Sequence, residues 1–106
     1  MRIFKISFVN QGKVYQIYAR QVRPAELYGF IEIEDLVFGE PGGLVIDPSE
    51  ERLKDEFAGV RRTLVPIHAT IRIDEVEKQG TSKIMDLDPN AKITPFPTPF
   101  TPPTRD

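Results

Sequence analysis

The residues whose types and spacing suit chemistry in this chain are its only histidine, His68, and the arginines around it. Imidazole titrates near neutral pH, so His68 suits a proton acceptor, a metal ligand or a contact to a nucleotide base. A metal site needs further ligands, and the chain holds no cysteine and no second histidine. General acid–base catalysis needs a partner, and none stands at a suggestive spacing. Arg61, Arg62 and Arg72 flank His68, with Arg20 and Arg23 as neighbours across a sheet. Guanidinium forks match phosphate oxygens, and Tyr15, Tyr18 or Tyr28 offer faces for stacked bases. The candidate RNA- or partner-binding set is therefore Arg61, Arg62, His68 and Arg72. The simpler reading of the same residues, and the one composition favours, is a solvated strand face paired with Glu32, Glu34, Asp74 and Glu75, with the imidazole packed at a strand corner.

Two further groups invite a chemical reading. Glu32 and Glu34 stand two apart on a strand and so point the same way, as paired carboxylates do in some hydrolases. Their alternation with Ile31 and Ile33 accounts for them as an outward face, and the glycines of residues 39–43 lack a phosphate-loop lysine. Phe96 and Phe100 sit among prolines and form a candidate tail-docking pair. Three fates stay open for them: packing on this protein's own sheet or a sister subunit, docking into a partner's aromatic groove, or disorder.

Composition bounds the elements that must position these groups. With 106 residues the chain has room for one domain. A net charge of −2 gives no global field toward nucleic acid or anionic lipid, so DNA is not expected and RNA only through a local patch. The absence of cysteine excludes disulfides and thiol catalysis. No cofactor is implied, and no catalytic residue emerges. No apolar run reaches membrane-span length and the start has no leader-like stretch, so a cytoplasmic, membrane-free protein is expected.

Residues 2–9 alternate Phe4, Ile6 and Phe8 against Lys5 and Ser7, and residues 14–22 place Tyr15, Ile17 and Ala19 on one face. The polar Asn10-Gln11-Gly12-Lys13 between them predicts a hairpin with a four-residue loop. Residues 23–29 read as a connector with one helical turn, and residues 30–38 as a third strand. Its apolar parity slips at Glu34-Asp35, as at a β-bulge. A short apolar run follows at residues 44–46. Asp47 as N-cap, Pro48 at the first position, Glu50 completing a capping box and Gly59 as a stop predict one helix of about ten residues. Residues 60–65 and 67–76 read as two strand pieces broken at Pro66, with Ile67, Ala69, Ile71 and Ile73 sharing a face. Six of the ten prolines fall within residues 89–103, which predicts an extended tail over residues 86–106 and a folded domain over 1–85.

The blocks FKISFVNQGKVYQIYAR, LYGFIEIEDLVFGE, DPSEERLKDEF and VPIHATIRIDEVEKQGT resemble the small proteobacterial proteins catalogued as domain of unknown function 1820. The likeness covers residues 3–83 and leaves the tail outside; it implies a bacterial cytoplasmic setting and no catalytic residues. Val65-Pro66-Ile67-His68-Ala69 is also similar to the turn between the last two strands of bacterial Sm-like RNA chaperones, and ISFVNQGKVYQI to their first hairpin. Pro66 and Ile67 replace that family's tyrosine and lysine, and its N-terminal helix is missing. The resulting expectation is a mainly β (α+β) domain: a strongly bent antiparallel sheet or Sm/SH3-like barrel of about five strands with one inserted helix. Its core would draw on Phe4, Ile6, Phe8, Ile17, Ile33, Leu53, Phe57, Ile71 and Ile73. The function expected is a non-enzymatic binding or assembly module acting on a protein partner or a second copy, with Sm-like RNA binding as the alternative.

Overall fold

A computed structural model of the chain describes residues 2–39 and 47–87. The expected apolar run at 44–46, most of the 39–43 loop, and the tail with Phe96 and Phe100 lie outside the described residues.

Strands β1 (Ile3–Asn10), β2 (Lys13–Pro24), β3 (Phe30–Val37), β4 (Arg62–Pro66), β5 (Thr70–Val76) and β6 (Lys83–Asp86) form one antiparallel sheet, with helix α1 (Pro48–Glu56) inserted between β3 and β4. The main path runs β4-β3-β2-β1-β5. β6 pairs with residues 13–16 of β2, on the edge that β3 occupies from Tyr18 onward. The hairpin loop is shorter than expected. Gln11 and Gly12, at φ 53° and 75°, make a two-residue turn, because positive φ at both positions matches the twist of the flanking strands.

β4 and β5 stand at opposite ends of that path, yet only the 3-10 turn Ile67–Ala69 joins them. Four strand spacings of ~4.8 Å separate the edges of a flat five-stranded sheet, about 19 Å. Four residues rising ~2 Å each cover about 8 Å. The sheet must therefore curl, although no ladder closes β4 onto β5. The corner is pinned by Ile67 N–H donating to Gly29 O at 2.8 Å and by Thr70 Oγ1 donating to Pro66 O at 3.2 Å. The expected strand start at Ile67 is thus a helical turn, and its alternation is broken: Ile67 is 54 % exposed.

The expected slip at Glu34-Asp35 is present. Asp35 takes φ 59°, a conformation Asp tolerates, and interrupts the ladder between the Ala19–Leu36 and Gln21–Glu34 pairs. Ile31, Ile33, Leu36 and Phe38 consequently all reach the core, and β2 makes the matching shift from Ala19 to Val22. That core centres on Ile6, Phe8, Tyr15, Ile17, Ala19, Ile33, Val65 and Leu53. Ile71 and Ile73, expected inside, are 37 % and 38 % exposed, because β5 is an edge strand that nothing described covers.

Nine residues make too short a helix to persist alone. Asp47 caps it, accepting from Ser49 N–H at 2.9 Å and Glu50 N–H at 3.2 Å. Leu53 is fully buried, which contributes about 1.5–3 kcal/mol. Ser49 and Glu50 tie the helix to β6. Ile84 N–H donates to Ser49 Oγ at 2.7 Å, and the Glu50 carboxylate accepts from the buried Ser82 N–H at 3.0 Å. Glu50, read from sequence as half of a capping box, also holds the residue that leads into β6. Neither β6 nor these contacts were expected, since a four-residue strand lacks a period-2 signature.

Between β5 and β6 the chain must cross β1 and β2, and residues 77–82 do so over Tyr18. The ring is buried on the sheet face opposite Ile17 and Ala19. A Cβ at Gly80 would lie 2.5 Å from Tyr18 Oη and 3.1 Å from its Cζ. Gly80→Ala is expected to destabilise the fold by about 1–3 kcal/mol. Combined with Tyr18→Phe it should cost measurably less than in the native background. Urea midpoints of the single and double variants check this; equal losses in both backgrounds would refute the contact.

Candidate functional site

The four residues of the expected binding rim are spread over β4, the corner turn, β5 and the residue before β4. Arg62 stands on β4 opposite Glu34 of β3, and Arg72 on β5 opposite Ser7 of β1, at the two ends of the sheet. Arg62 lies 3.8 Å from both Glu32 and Glu34, and Arg23 pairs with the same two carboxylates. These two cations and two anions cancel, beside a hollow of about 630 Å³ lined by Arg23, Pro24, Glu26, Leu27, Glu32, Arg62 and Leu64. Arg72 pairs with Asp74 at 3.0 Å, and Glu75 with Arg2. His68 is exposed in the corner turn, and Arg61 is exposed beside the end of α1. Among the described residues, no group of three or more His, Asp or Glu is placed to hold a metal ion.

The paired-charge alternative for Arg62 and Arg72 therefore matches their surroundings, and so does the outward-face explanation of Glu32 and Glu34. Tyr15 and Tyr18 are buried and cannot stack bases. Tyr28 is 96 % exposed next to Leu27 at the β2–β3 turn.

A second constellation lies on the core side, where the curl brings the end of β1 toward β4. A cavity of about 190 Å³ opens there among Phe8, Val9, Asn10, Tyr15, Glu56, Phe57 and residues 63–66. Its walls are aromatic. Tyr15 stacks on Phe8 at 5.0 Å between ring centroids and meets Phe57 edge-on at 6.4 Å. Its polar end is a chain of three groups: the Asn10 amide donates to Tyr15 Oη at 3.4 Å, and Tyr15 Oη donates to the Glu56 carboxylate at 2.9 Å. Burial holds the Tyr15 phenol above its ordinary value of 10.0, with Asn10 pulling it down and the Glu56 carboxylate pushing it up. Sequence reading missed this site because Tyr15 and Glu56 are 41 residues apart and belong to different elements. The one available signal was a tyrosine on an otherwise apolar strand face.

The family model described as "Domain of unknown function (DUF1820)" matches residues 2–98. The chain belongs to this family. The match runs past the expected limit at residue 83 and takes in Thr94-Pro95-Phe96-Pro97-Thr98 of the proline-rich stretch. No curated protein and no solved structure matches the chain, so the Sm-like resemblance rests on its two short sequence blocks alone. No helix among the described residues is long and apolar enough to cross a membrane.

The Tyr15 environment has a pH signature. Its pKa is higher in the folded chain than in the unfolded one, so the phenol's stabilising contribution is complete below pH 10 and is lost as pH rises through the folded value. Tyr15→Phe should cost about 0.5–1.5 kcal/mol at neutral pH through the lost hydrogen bond. The gap between native and variant should narrow above pH 10. Denaturation midpoints of the two proteins from pH 7 to 11 measure this, and a gap that stays constant contradicts it.

Proposed function

We propose that this DUF1820 domain is a non-enzymatic assembly module in which the outer edge of β5 pairs with the same edge of a second copy. The observation that carries the reading is the state of that edge. Ile73 registers opposite fully buried Ile6, yet it and Ile71 are more than a third exposed, and no described strand pairs beyond them. A seven-residue edge with open backbone groups and aliphatic side chains is a template for another strand. Its sequence, TIRIDEV, complements itself. Antiparallel pairing about a two-fold axis at Ile73 sets Arg72 of one copy against Asp74 of the other, twice over.

Charge favours this reading over RNA binding. A phosphate backbone is drawn by unneutralised cations, whereas Arg23, Arg62 and Arg72 all face carboxylates of their own chain.

Light scattering on eluting full-length protein tests the reading. A dimer mass that dissociates on dilution is expected. Arg72→Asp and Asp74→Arg should each weaken the dimer about tenfold, since each sets like charges opposite twice. The double variant should restore native association. A native chain that stays monomeric at every concentration, or a double variant weaker than either single one, sinks the proposal.

A further inference from the structure

We propose that the cavity between β1 and β4 is the docking site for this chain's own proline-rich segment, with the Phe96 ring as its occupant. Four observations converge on this pairing, and none of them involves the β5 edge.

The first is size. At about 190 Å³ the cavity falls below the ~300 Å³ at which small-molecule pockets begin. It suits one large side chain better than a metabolite. The second is the chemistry of the walls. Half-buried Phe57 and Pro66 offer ring surfaces, with buried Phe8 and Tyr15 behind them, the kind of lining that grooves for polyproline-like segments present. Such a segment makes no internal hydrogen bonds, so its carbonyls need outside donors. The Asn10 carboxamide at the rim carries two N–H donors, one of which goes to Tyr15 Oη.

The third is position. Leu87 N–H donates to Gly12 O at 2.9 Å, so the chain leaves the described fold beside the β1–β2 turn. Asn10, which lines the cavity, is two residues from Gly12. Phe96 follows Leu87 by nine residues, a reach of up to about 28 Å in an extended polyproline form. A tether this short also holds the segment at an effective concentration of order millimolar, enough for a weak contact to stay formed. The fourth is the extent of the family match. It includes Phe96 and ends at residue 98, joining the segment around Phe96 to the β-rich unit and leaving Phe100 outside.

Docking here would cover Leu64, which lines the cavity and is 37 % exposed. Of the two phenylalanines, Phe96 is the one assigned to the cavity.

The chain has no cysteine, so a single Thr101→Cys substitution in the full-length protein takes a nitroxide label at one place. Amide NMR signals of Glu56, Phe57 and Val65 should then be lost in the labelled chain. They should return when Phe96→Ala is added, while Phe100→Ala leaves them lost. Asn10 lies too near the exit at Gly12 to decide. Losses confined to the neighbourhood of Leu87 and Gly12, or falling on another surface, overturn the proposal. So does loss at Glu56, Phe57 and Val65 that appears only in isotope-labelled copies mixed with nitroxide-labelled unlabelled-isotope ones. That outcome assigns the cavity to the tail of a second copy.

Discussion

The constraint on which the rest of the structure depends is the shortness of the link between β4 and β5. Three residues in a 3-10 turn join strands that stand at opposite ends of the main sheet path. No flat sheet satisfies that link, so curvature is a requirement of connectivity and packing follows from it. The bend is placed where the backbone accepts it most readily. Asp35 adopts positive φ, the ladder skips, and the inward parity of β2 and β3 changes together at Ala19/Val22 and Ile33/Leu36. With the sheet curled, Ile6, Ile17 and Ile33 lie fully buried. Gly29 then serves as the anchor of the corner, accepting the Ile67 N–H and so fastening the β2–β3 turn to it.

Around this frame the smaller elements stabilise one another in sequence. β2 is the spine: β1 occupies one of its edges, while β3 and β6 divide the other end to end. β6 has only four residues and needs its other edge covered, which the first turn of α1 does through Ser49 and Glu50. The helix in turn is too short to persist without a docked Leu53 and a cap from Asp47. The crossover into β6 lies over Tyr18, and the same burial that requires a glycine at position 80 raises the Tyr18 phenol above its ordinary pKa, with the Glu50 charge adding to the effect. Loss of one of these contacts therefore propagates to the next.

What the sequence disclosed and what it hid divide along the range of the interactions. Local signals were legible. The β1–β2 hairpin, the Asp47-Pro48 helix start and the parity slip at Glu34-Asp35 are written in neighbouring residues, and each is present. The corner at Pro66 was legible as a break but not as a helical turn, because Ile67 and Ala69 keep the same alternation as Ile71 and Ile73. The exposure of Ile71 and Ile73 was hidden, since periodicity gives the face of a strand and not its place in the sheet. Glu50 was legible only in part for a related reason: its N–H meets Asp47 as in a capping box, while its carboxylate goes to Ser82, 32 residues away. The candidate rim shows the same division. His68, Arg61, Arg62 and Arg72 are close in sequence, but the corner sends β4 and β5 to opposite ends of the sheet path, and Arg62 and Arg72 each pair with carboxylates of their own surroundings. The Asn10–Tyr15–Glu56 chain joins three elements and leaves no short-range trace.

The incomplete closure of the sheet gives its two open sides different chemistry. On the β5 side the surface is a strand edge that no described strand pairs with, carrying alternating aliphatic and charged residues, Ile71, Arg72, Ile73 and Asp74. Such a surface matches another strand, whose backbone supplies the missing hydrogen bonds and whose pleat brings charge opposite charge. On the β4 side the surface is concave, with stacked rings behind it and a hydrogen-bonded phenol and carboxylate at one end. A strand gains little from a hollow; a ring carried on a chain that lacks its own amide donors fits it far better. A second β5 edge and the proline–phenylalanine segment are the occupants proposed for these two sides. The short β4–β5 corner forces the curl, and the lack of a ladder between these two strands leaves the surfaces on either side chemically distinct.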